Sequence, residues 1–195
     1  MPSVWYSSPA APARPSRRPR SRPVLVALAL GGVVCCLLAG WGAYRLWNGA
    51  PYPEVDPQAV ATRLGAEAGR VENDLALPVG SRSPAGRMET GACHYRGLRA
   101  FAHIDRARSD VHTFSVERET TGIAEDTART AQERVRSRLS QQGWKLTSQN
   151  ITTMGFRYEN PDTGDQVHVD WYKYTGTLAF RVYAPCGKVP DGHPL

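Results

Sequence analysis

Acidic residues are absent from the first 53 positions, which contain six arginines. Residues 54–195 carry 18 Lys and Arg against 18 Asp and Glu, so the N-terminal part supplies the whole formal charge of +6. The region large enough to fold is therefore neutral overall and lacks the net positive charge that holds nucleic acid. We expect no nucleic-acid binding by this region.

Charge of either sign is also absent from residues 24–44. At about 1.5 Å of rise per residue, a helix of this length spans roughly the 30 Å of hydrocarbon in a bilayer. A cleaved secretory signal is the alternative, and Gly40-Trp41-Gly42 is its only weak cleavage candidate. We predict a retained single transmembrane helix over residues 24–47.

The residues flanking this apolar run differ in charge. Five arginines precede it and one follows closely: Arg14, Arg17, Arg18, Arg20, Arg22 and then Arg45. Positive charge stays on the cytoplasmic side of a membrane, so the N-terminus is predicted to be cytoplasmic. We expect residues 1–23 to be a disordered basic tail attracted to membrane lipid, residues 48–53 to be a linker and residues 54–195 to be one extracytoplasmic domain.

Cysteine is scarce, and two of the four residues are adjacent, at Cys35 and Cys36. The preceding Gly-Val-Val does not match the Leu-Ala/Ser-Gly/Ala-Cys pattern of bacterial lipoproteins, and apolar residues continue beyond Cys36. Palmitoylation favours cysteines near the lipid headgroups, whereas this pair lies near the middle of the run. We interpret both as small apolar residues of a helix wall.

Cys93 and Cys186 are the remaining cysteines. An even pair in an oxidising compartment favours a disulfide, and closing a loop of roughly 94 residues would stabilise the fold by about 4–5 kcal/mol. Two free buried thiols, or a metal half-site with His94, are the alternatives. The half-site lacks the additional spaced ligands that zinc requires, and we expect no metal and no cofactor.

Two stretches have the apolar period of a helix. Asp56 and Pro57 are typical of an N-cap and first helical position, and Gly143 is a natural stop for the second helix, with Trp144 expected in the core. The two apolar stripes comprise Val60, Leu64, Ala68, Val71 and Leu75, and Ala124, Ala128, Ala131, Val135 and Leu139.

Elsewhere apolar residues alternate with a period of two, which is typical of strands. Turn residues at 160–165 and 174–176 separate the last strands, and residues 79–91 have the composition of a mobile loop. The alternating residues are Phe114 and Val116; Phe156 and Tyr158; Val167, Val169 and Trp171; and Leu178, Phe180, Val182 and Ala184. We predict an α+β fold, with an antiparallel sheet of about four to six strands and two helices on one face.

Several short patterns resemble catalytic motifs. Asp162-Thr163-Gly164 matches the triplet of aspartic proteases, but it lies in a polar turn without a second aspartate facing it. Asp162 and Asp165 also lack the ligand series of an EF-hand, so we interpret the stretch as a plain turn. His168 with Asp170, and His103 with Asp105, each place an imidazole and a carboxylate on one side of a strand, although no Gly-x-Ser-x-Gly nucleophile accompanies them.

The most informative polar surface is the face of the last hairpin opposite the core. Tyr and Arg are enriched where proteins bind partners, although exposed sheets also use these residues for cross-strand stabilisation. The candidate binding residues are His168, Asp170, Tyr172, Arg181 and Tyr183. We expect a non-enzymatic binding or accessory protein at the cell envelope, with an envelope protein or a ligand as partner; an envelope hydrolase using a His/Asp site is the alternative.

The order of these features resembles a known group of proteins. A basic tail, a single apolar span, Gly143-Trp144 after the last helix and Ala184-Pro185-Cys186 after the last strand are similar to small uncharacterised membrane-anchored or lipoprotein-like proteins of actinobacteria. The resemblance covers the layout of residues 54–188 and implies an extracytoplasmic location. It implies no activity, and this chain departs from the lipidated members because it lacks their cysteine motif.

Overall fold

The computed structural model describes residues 22–77, 88–104 and 106–190, with side chains from residue 32 onward. The elements are α1 (Arg22–Asn48), α2 (Pro57–Leu75), β1 (Met88–His94), α3 (Arg99–Ala102), β2 (Ala107–Thr120), α4 (Glu125–Gln141), β3 (Lys145–Asn150), β4 (Gly155–Glu159), β5 (Gln166–Tyr172), β6 (Thr177–Tyr183) and β7 (Gly187–Lys188). The chain divides after Tyr44 into two units. Almost all of the predicted tail, residues 1–21, lies outside the described residues.

A long helix, α1, occupies the position of the predicted span. Its large apolar side chains are exposed, including Val33, Leu37, Leu38 and Trp41. Over the described part of the chain, no helix is both long and apolar enough to cross a membrane.

The start of α2 follows the prediction closely. Asp56 is its N-cap and accepts a hydrogen bond from the Gln58 amide at 2.9 Å, with Pro57 in the first turn. This cap satisfies an amide that the helix itself leaves without a partner. All five residues of the predicted stripe are buried.

The second predicted helix is α4, and it packs against α2. The Arg138 guanidinium lies between two carboxylates of α2, with Nη1 2.9 Å from Oε1 of Glu67 and Nε bound to Asp74. Gly143 has φ +79° just after the helix, as its role as a stop requires. Trp144, expected in the core, is half-buried and only packs against it, because the chain there is already turning into the edge strand β3.

Within the described residues the strands form one antiparallel sheet in the order β1-β2-β6-β5-β4-β3, with the two-residue β7 paired to β2. The four predicted strands are β2, β4, β5 and β6. The sequence pattern missed β1, β3 and β7. The prediction of a loop over residues 79–91 is wrong for residues 88–91, which pair with β2, while residues 78–87 lie outside the described part.

A single apolar core joins α2 and α4 to the inward side chains of the sheet. Phe156, Val167, Val169 and Val182 are almost fully buried in it. Because both helices contribute to this one core, they cover the same face of the sheet, which confirms the α+β fold with helices on one face.

The 160–165 segment is a turn, as predicted. Asn160 Oδ1 accepts from the amides of Asp162 and Thr163 at 2.9 and 3.3 Å, and Gly164 has φ +73°. The buried Asp165 carboxylate binds Arg63 of α2 through two hydrogen bonds of 2.6 and 2.9 Å. This ion pair fastens the turn to α2.

The predicted disulfide is confirmed. Cys93, at the end of β1, bonds to Cys186, just before β7, with an S–S distance of 2.02 Å and Cα atoms 6.1 Å apart. The bond joins the edge strand β1 to the segment that follows β6. Because both sulfurs are committed to it, the alternatives of free thiols and of a thiolate metal half-site with His94 are wrong.

Candidate functional site

The sheet face opposite the core, here called the outer face, carries all five candidate binding residues. Strand register places His168 opposite Arg181, and Gln166 opposite Tyr183, on β5 and β6. Asp170 lies two residues beyond His168 on the same side of β5. The alternation that buries Val167, Val169 and Trp171 therefore directs the candidates to the other face.

Arg181 is joined to a third strand. Its guanidinium donates to Oε2 of Glu117 on β2, at 3.0 Å from Nε and by a second bond from Nη2. The hydrogen bond to Glu117 raises the pKa of Arg181, so this side chain is cationic at any physiological pH. Glu117 was not among the predicted site residues, because its pairing depends on β2 lying beside β6.

Tyr183 begins a polar row across three strands. Its hydroxyl donates to Oε1 of Gln166, whose Nε2 donates to Oε2 of Glu159 on β4 at 2.9 Å. The Arg157 guanidinium lies 5.9 Å from the Tyr183 ring centre. Burial raises the pKa of Tyr183, so the phenol stays protonated and keeps donating.

Asp170 is the central group of the face and is only 8% exposed. Its Oδ2 lies 2.8 Å from His168 Nε2, and its Oδ1 accepts from the Thr153 hydroxyl at 2.6 Å. Burial raises the pKa of Asp170, but the bonds from His168 and Thr153 and the charges of His168 and Arg157 outweigh burial. The pKa therefore lies below its ordinary value, and the carboxyl is ionised at neutral pH.

The order of these groups decides what chemistry they support. In a nucleophile–histidine–carboxylate arrangement the imidazole stands between the hydroxyl and the carboxylate and takes the proton. Here the carboxylate of Asp170 stands between the Thr153 hydroxyl and the His168 imidazole. A proton leaving Thr153 would have to pass to a carboxylate of lowered pKa, which is a poor base. The geometry suits a rigid polar surface better than nucleophilic catalysis.

A depression of about 160 Å³ opens between β2, β5 and β6. This volume is small beside the 300–1,000 Å³ of sites that enclose drug-sized ligands. It is lined by Glu117, His168, Asp170, Tyr172, Ala179, Phe180 and Arg181. A depression of this size can seat one protruding side chain or a small polar group.

Two larger depressions lie elsewhere. One, of about 310 Å³, lies between α4 and the β3–β4 turn, where Arg129, Arg136 and Glu133 contribute charges of both signs. The other, of about 530 Å³, is lined only by residues 56–70, along α2. Neither includes a predicted site residue.

The prediction that His103 lies on a strand with Asp105 is wrong, because His103 directly follows a short helix. The His103 ring follows α3 and stacks on Tyr95 with ring centres 4.7 Å apart, and Asp105 lies outside the described residues. Among the residues that the structure describes, no group of three or more His, Cys, Asp or Glu is arranged to hold a metal ion.

Two residues that organise the site were missed from sequence. Thr153 lies in the β3–β4 turn and Gly155 is the first residue of β4, and a Cβ at Gly155 would lie 1.9 Å from Oδ1 of Asp170. A glycine directly after a turn and before an alternating strand was the available signal, because strand glycines mark close approach of other groups.

No family model matches the chain, and no curated protein or solved structure is significantly similar to it.

Proposed function

We propose that this chain is a single-pass membrane-tethered protein whose extracytoplasmic domain acts at the cell envelope as a non-enzymatic binding or accessory protein. The Cys93–Cys186 disulfide carries the proposal. Structural disulfides persist in oxidising compartments and are rare in the cytosol. A domain clamped by one belongs outside the cytoplasmic membrane.

The tether is α1. The uncharged run begins at Val24, and five arginines precede it. Side chains are described only from residue 32 onward, so the first part of this run lies before them. At its other end Trp41, Tyr44 and Trp47 are half or more exposed, and Trp and Tyr concentrate where a membrane meets water. An exposed apolar helix of this kind needs a nonpolar environment, which a bilayer supplies.

The outer face is the proposed contact surface. Tyr172 is 43% exposed and lines the same depression as Arg181, and aromatic and arginine side chains contribute strongly to protein contacts. Because Asp170, Glu117 and Gln166 already hold their neighbours, the face is preorganised and binding would cost little side-chain ordering. An envelope protein fits this open surface, and a small ligand fits the 160 Å³ depression.

Membrane topology is tested with single cysteines in a chain carrying Cys35→Ser and Cys36→Ser. A membrane-impermeant maleimide added to whole cells should label Tyr174→Cys, at a fully exposed position, and should label Ser8→Cys only after lysis. Labelling of Ser8→Cys in intact cells, or protection of Tyr174→Cys, contradicts the proposed topology.

The contact surface is tested by site-specific photocrosslinking in cells. A photoreactive amino acid at Tyr172 should give a discrete crosslinked product, which Arg181→Glu should reduce. The matched control is Ile151, an apolar residue 94% exposed on the β3–β4 turn. Equal products from both positions, or none from Tyr172, would remove the outer face from the proposal.

The hydrolase alternative rests on the 2.8 Å contact between His168 and Asp170. Purified full-length chain should not turn over a panel of esters and peptides. Turnover abolished by His168→Gln, with unchanged thermal stability, would replace the binding proposal with the enzyme.

A further inference from the structure

An exposed apolar segment lies beside residues 46–49, although it is far from them in sequence. The segment, residues 97–104, contains Leu98, Phe101 and Ile104, which are 44%, 76% and 68% exposed. Exposed large apolar side chains in a cluster mark a surface that contacts something nonpolar.

Backbone hydrogen bonds fold most of this segment into a short helical turn. Ala100 donates to the Gly97 carbonyl at 3.1 Å, Phe101 to Leu98 at 3.1 Å, and His103 to Ala100 at 3.2 Å. The turn contains α3, which begins after Leu98 and ends at His103, where φ is −136°. Leu98 and Phe101 are three residues apart and therefore lie on one side of the helical turn, and Ile104 follows shortly after its end. These three exposed apolar side chains are here called the ridge.

The ridge is fastened to the last turn of α1 and the residues after it. The Leu98 amide donates to the Leu46 carbonyl at 3.1 Å. A Cβ on Gly97 would lie 2.4 Å from the Gly49 nitrogen and 2.7 Å from the Leu46 oxygen, so only glycine permits this approach. Arg96 also lies 3.8 Å above the Tyr52 ring. The ridge is thus held beside residues 46–52, which follow the uncharged run of residues 24–44 in sequence.

Positive charge borders the ridge. Residues 96–106 contain three arginines, Arg96, Arg99 and Arg106, and one acid, Asp105. The Arg99 guanidinium lies 4.7 Å from the Tyr95 ring centre, and Arg45 lies in the last turn of α1. Cationic side chains around an apolar ridge complement anionic lipid headgroups above a hydrocarbon layer.

We propose that residues 97–104 are a membrane-contact segment, which inserts Leu98, Phe101 and Ile104 into the bilayer surface while the adjacent arginines bind anionic phospholipid headgroups. This inference rests on the proposed tether, and it adds a second contact with the same membrane. The occupant is the bilayer because the ridge adjoins residues 46–49, which follow the apolar run in sequence, and because the charge of the adjacent arginines matches anionic headgroups.

The test uses the full chain, with Cys35→Ser and Cys36→Ser, reconstituted in vesicles of phosphatidylcholine and phosphatidylglycerol. A nitroxide is attached at Phe101→Cys or Ile104→Cys, with the disulfide kept oxidised. The matched controls are Ile151→Cys and Tyr174→Cys, both at exposed positions elsewhere in the domain. Accessibility to oxygen and to a water-soluble nickel chelate is measured by electron paramagnetic resonance.

Labels at 101 and 104 should show a several-fold loss of accessibility to the nickel chelate relative to 151 and 174, together with a gain in accessibility to oxygen. In pure phosphatidylcholine the protection should decrease; unchanged protection would overturn the headgroup part of the proposal. Water exposure at 101 and 104 equal to the controls would overturn the membrane contact. Dipolar broadening between labels at 101 on two chains would assign the ridge to a second copy and would also overturn it.

The tether and the contact segment fail in different ways. If the chain does not co-sediment with vesicles after an alkaline wash, the tether is wrong. If it co-sediments while the label at 101 remains accessible to water, the tether stands and only the contact segment is wrong.

Discussion

Asp170 shows how closely single residues of the outer face depend on one another. Its carboxylate is buried between Thr153 and His168, and Gly155 leaves the space that it occupies. A buried carboxylate is tolerated only where hydrogen bonds replace its hydration. Two predictions follow from this packing.

Gly155 is predicted to tolerate no side chain. Gly155→Ala places a methyl group against the fixed Asp170 side chain and should lower the free energy of unfolding by about 1–3 kcal/mol. Urea denaturation measures the change. As a control, Gly65→Ala adds a methyl group where nothing lies within 4 Å inside α2 and should stabilise by about 0.5–1 kcal/mol. If Gly155→Ala lowers the free energy of unfolding by the same amount in an Asp170→Ala background, a clash with the Asp170 side chain is not the cause.

The ionised Asp170 carboxyl is predicted to make the stability of the fold depend on pH. Because the pKa of Asp170 is lower in the folded protein than its ordinary value of 3.8, the unfolded chain binds more protons between the two values. The resulting stabilisation is complete above the ordinary value and is lost as the pH falls through the folded pKa. Urea midpoints at descending pH should therefore fall more steeply for wild type than for Asp170→Asn. Parallel acid profiles would contradict the assigned ionisation.

Among the elements, α2 and α4 are joined by charge as well as by apolar contact. Arg138 is mostly buried between Glu67 and Asp74, and Arg134 donates to the Leu75 carbonyl at the end of α2 at 2.8 Å. Removing Arg138 leaves buried carboxylate oxygens short of a donor, which is the costly way to break such a contact.

We therefore expect Arg138→Ala to lower the free energy of unfolding by about 1–3 kcal/mol, measured by urea denaturation. Arg129→Ala on the same helix is the matched control, because Arg129 pairs with Glu125 in solvent. It should cost less than about 0.5 kcal/mol. If the two variants lose the same free energy of unfolding, the Arg138 contacts with α2 stabilise the fold no more than an exposed ion pair does.

For the whole molecule, the Cys93–Cys186 bond is the covalent constraint on the fold. Replacing both cysteines by alanine should lower the free energy of unfolding by about 2–5 kcal/mol. The control, Cys35→Ser with Cys36→Ser, should leave the unfolding of the domain unchanged, because those residues lie in α1. Urea denaturation with and without reductant measures the free energy of unfolding of both double variants. Alkylation of residues 93 and 186 in unreduced protein would refute the bond.

Local patterns were sufficient for much of the fold. The stripes of α2 and α4, the cap at Asp56 and the alternation in β2, β4, β5 and β6 depend on residues close in sequence, so they were readable directly. β1 and β3 were missed because they are edge strands of mostly polar or small residues, such as Gly91, Ser148 and Gln149. Their pairing is decided by backbone bonds to β2 and β4 and not by apolar alternation.

The sequence by itself determined the helices, the main strands and the sharing of one face by His168, Asp170, Tyr172, Arg181 and Tyr183. Apolar period and alternation within one chain segment are sufficient for these. The pairing of Cys93 with Cys186 was expected because they are the two cysteines outside the apolar run, and the structure excluded the alternatives. Only the tertiary structure decided that Glu117, Thr153 and Gly155 complete the outer face, and that residues 97 and 98 contact residues 46–49. Those contacts join residues far apart in sequence, and they exist only when strand register and chain packing bring them together.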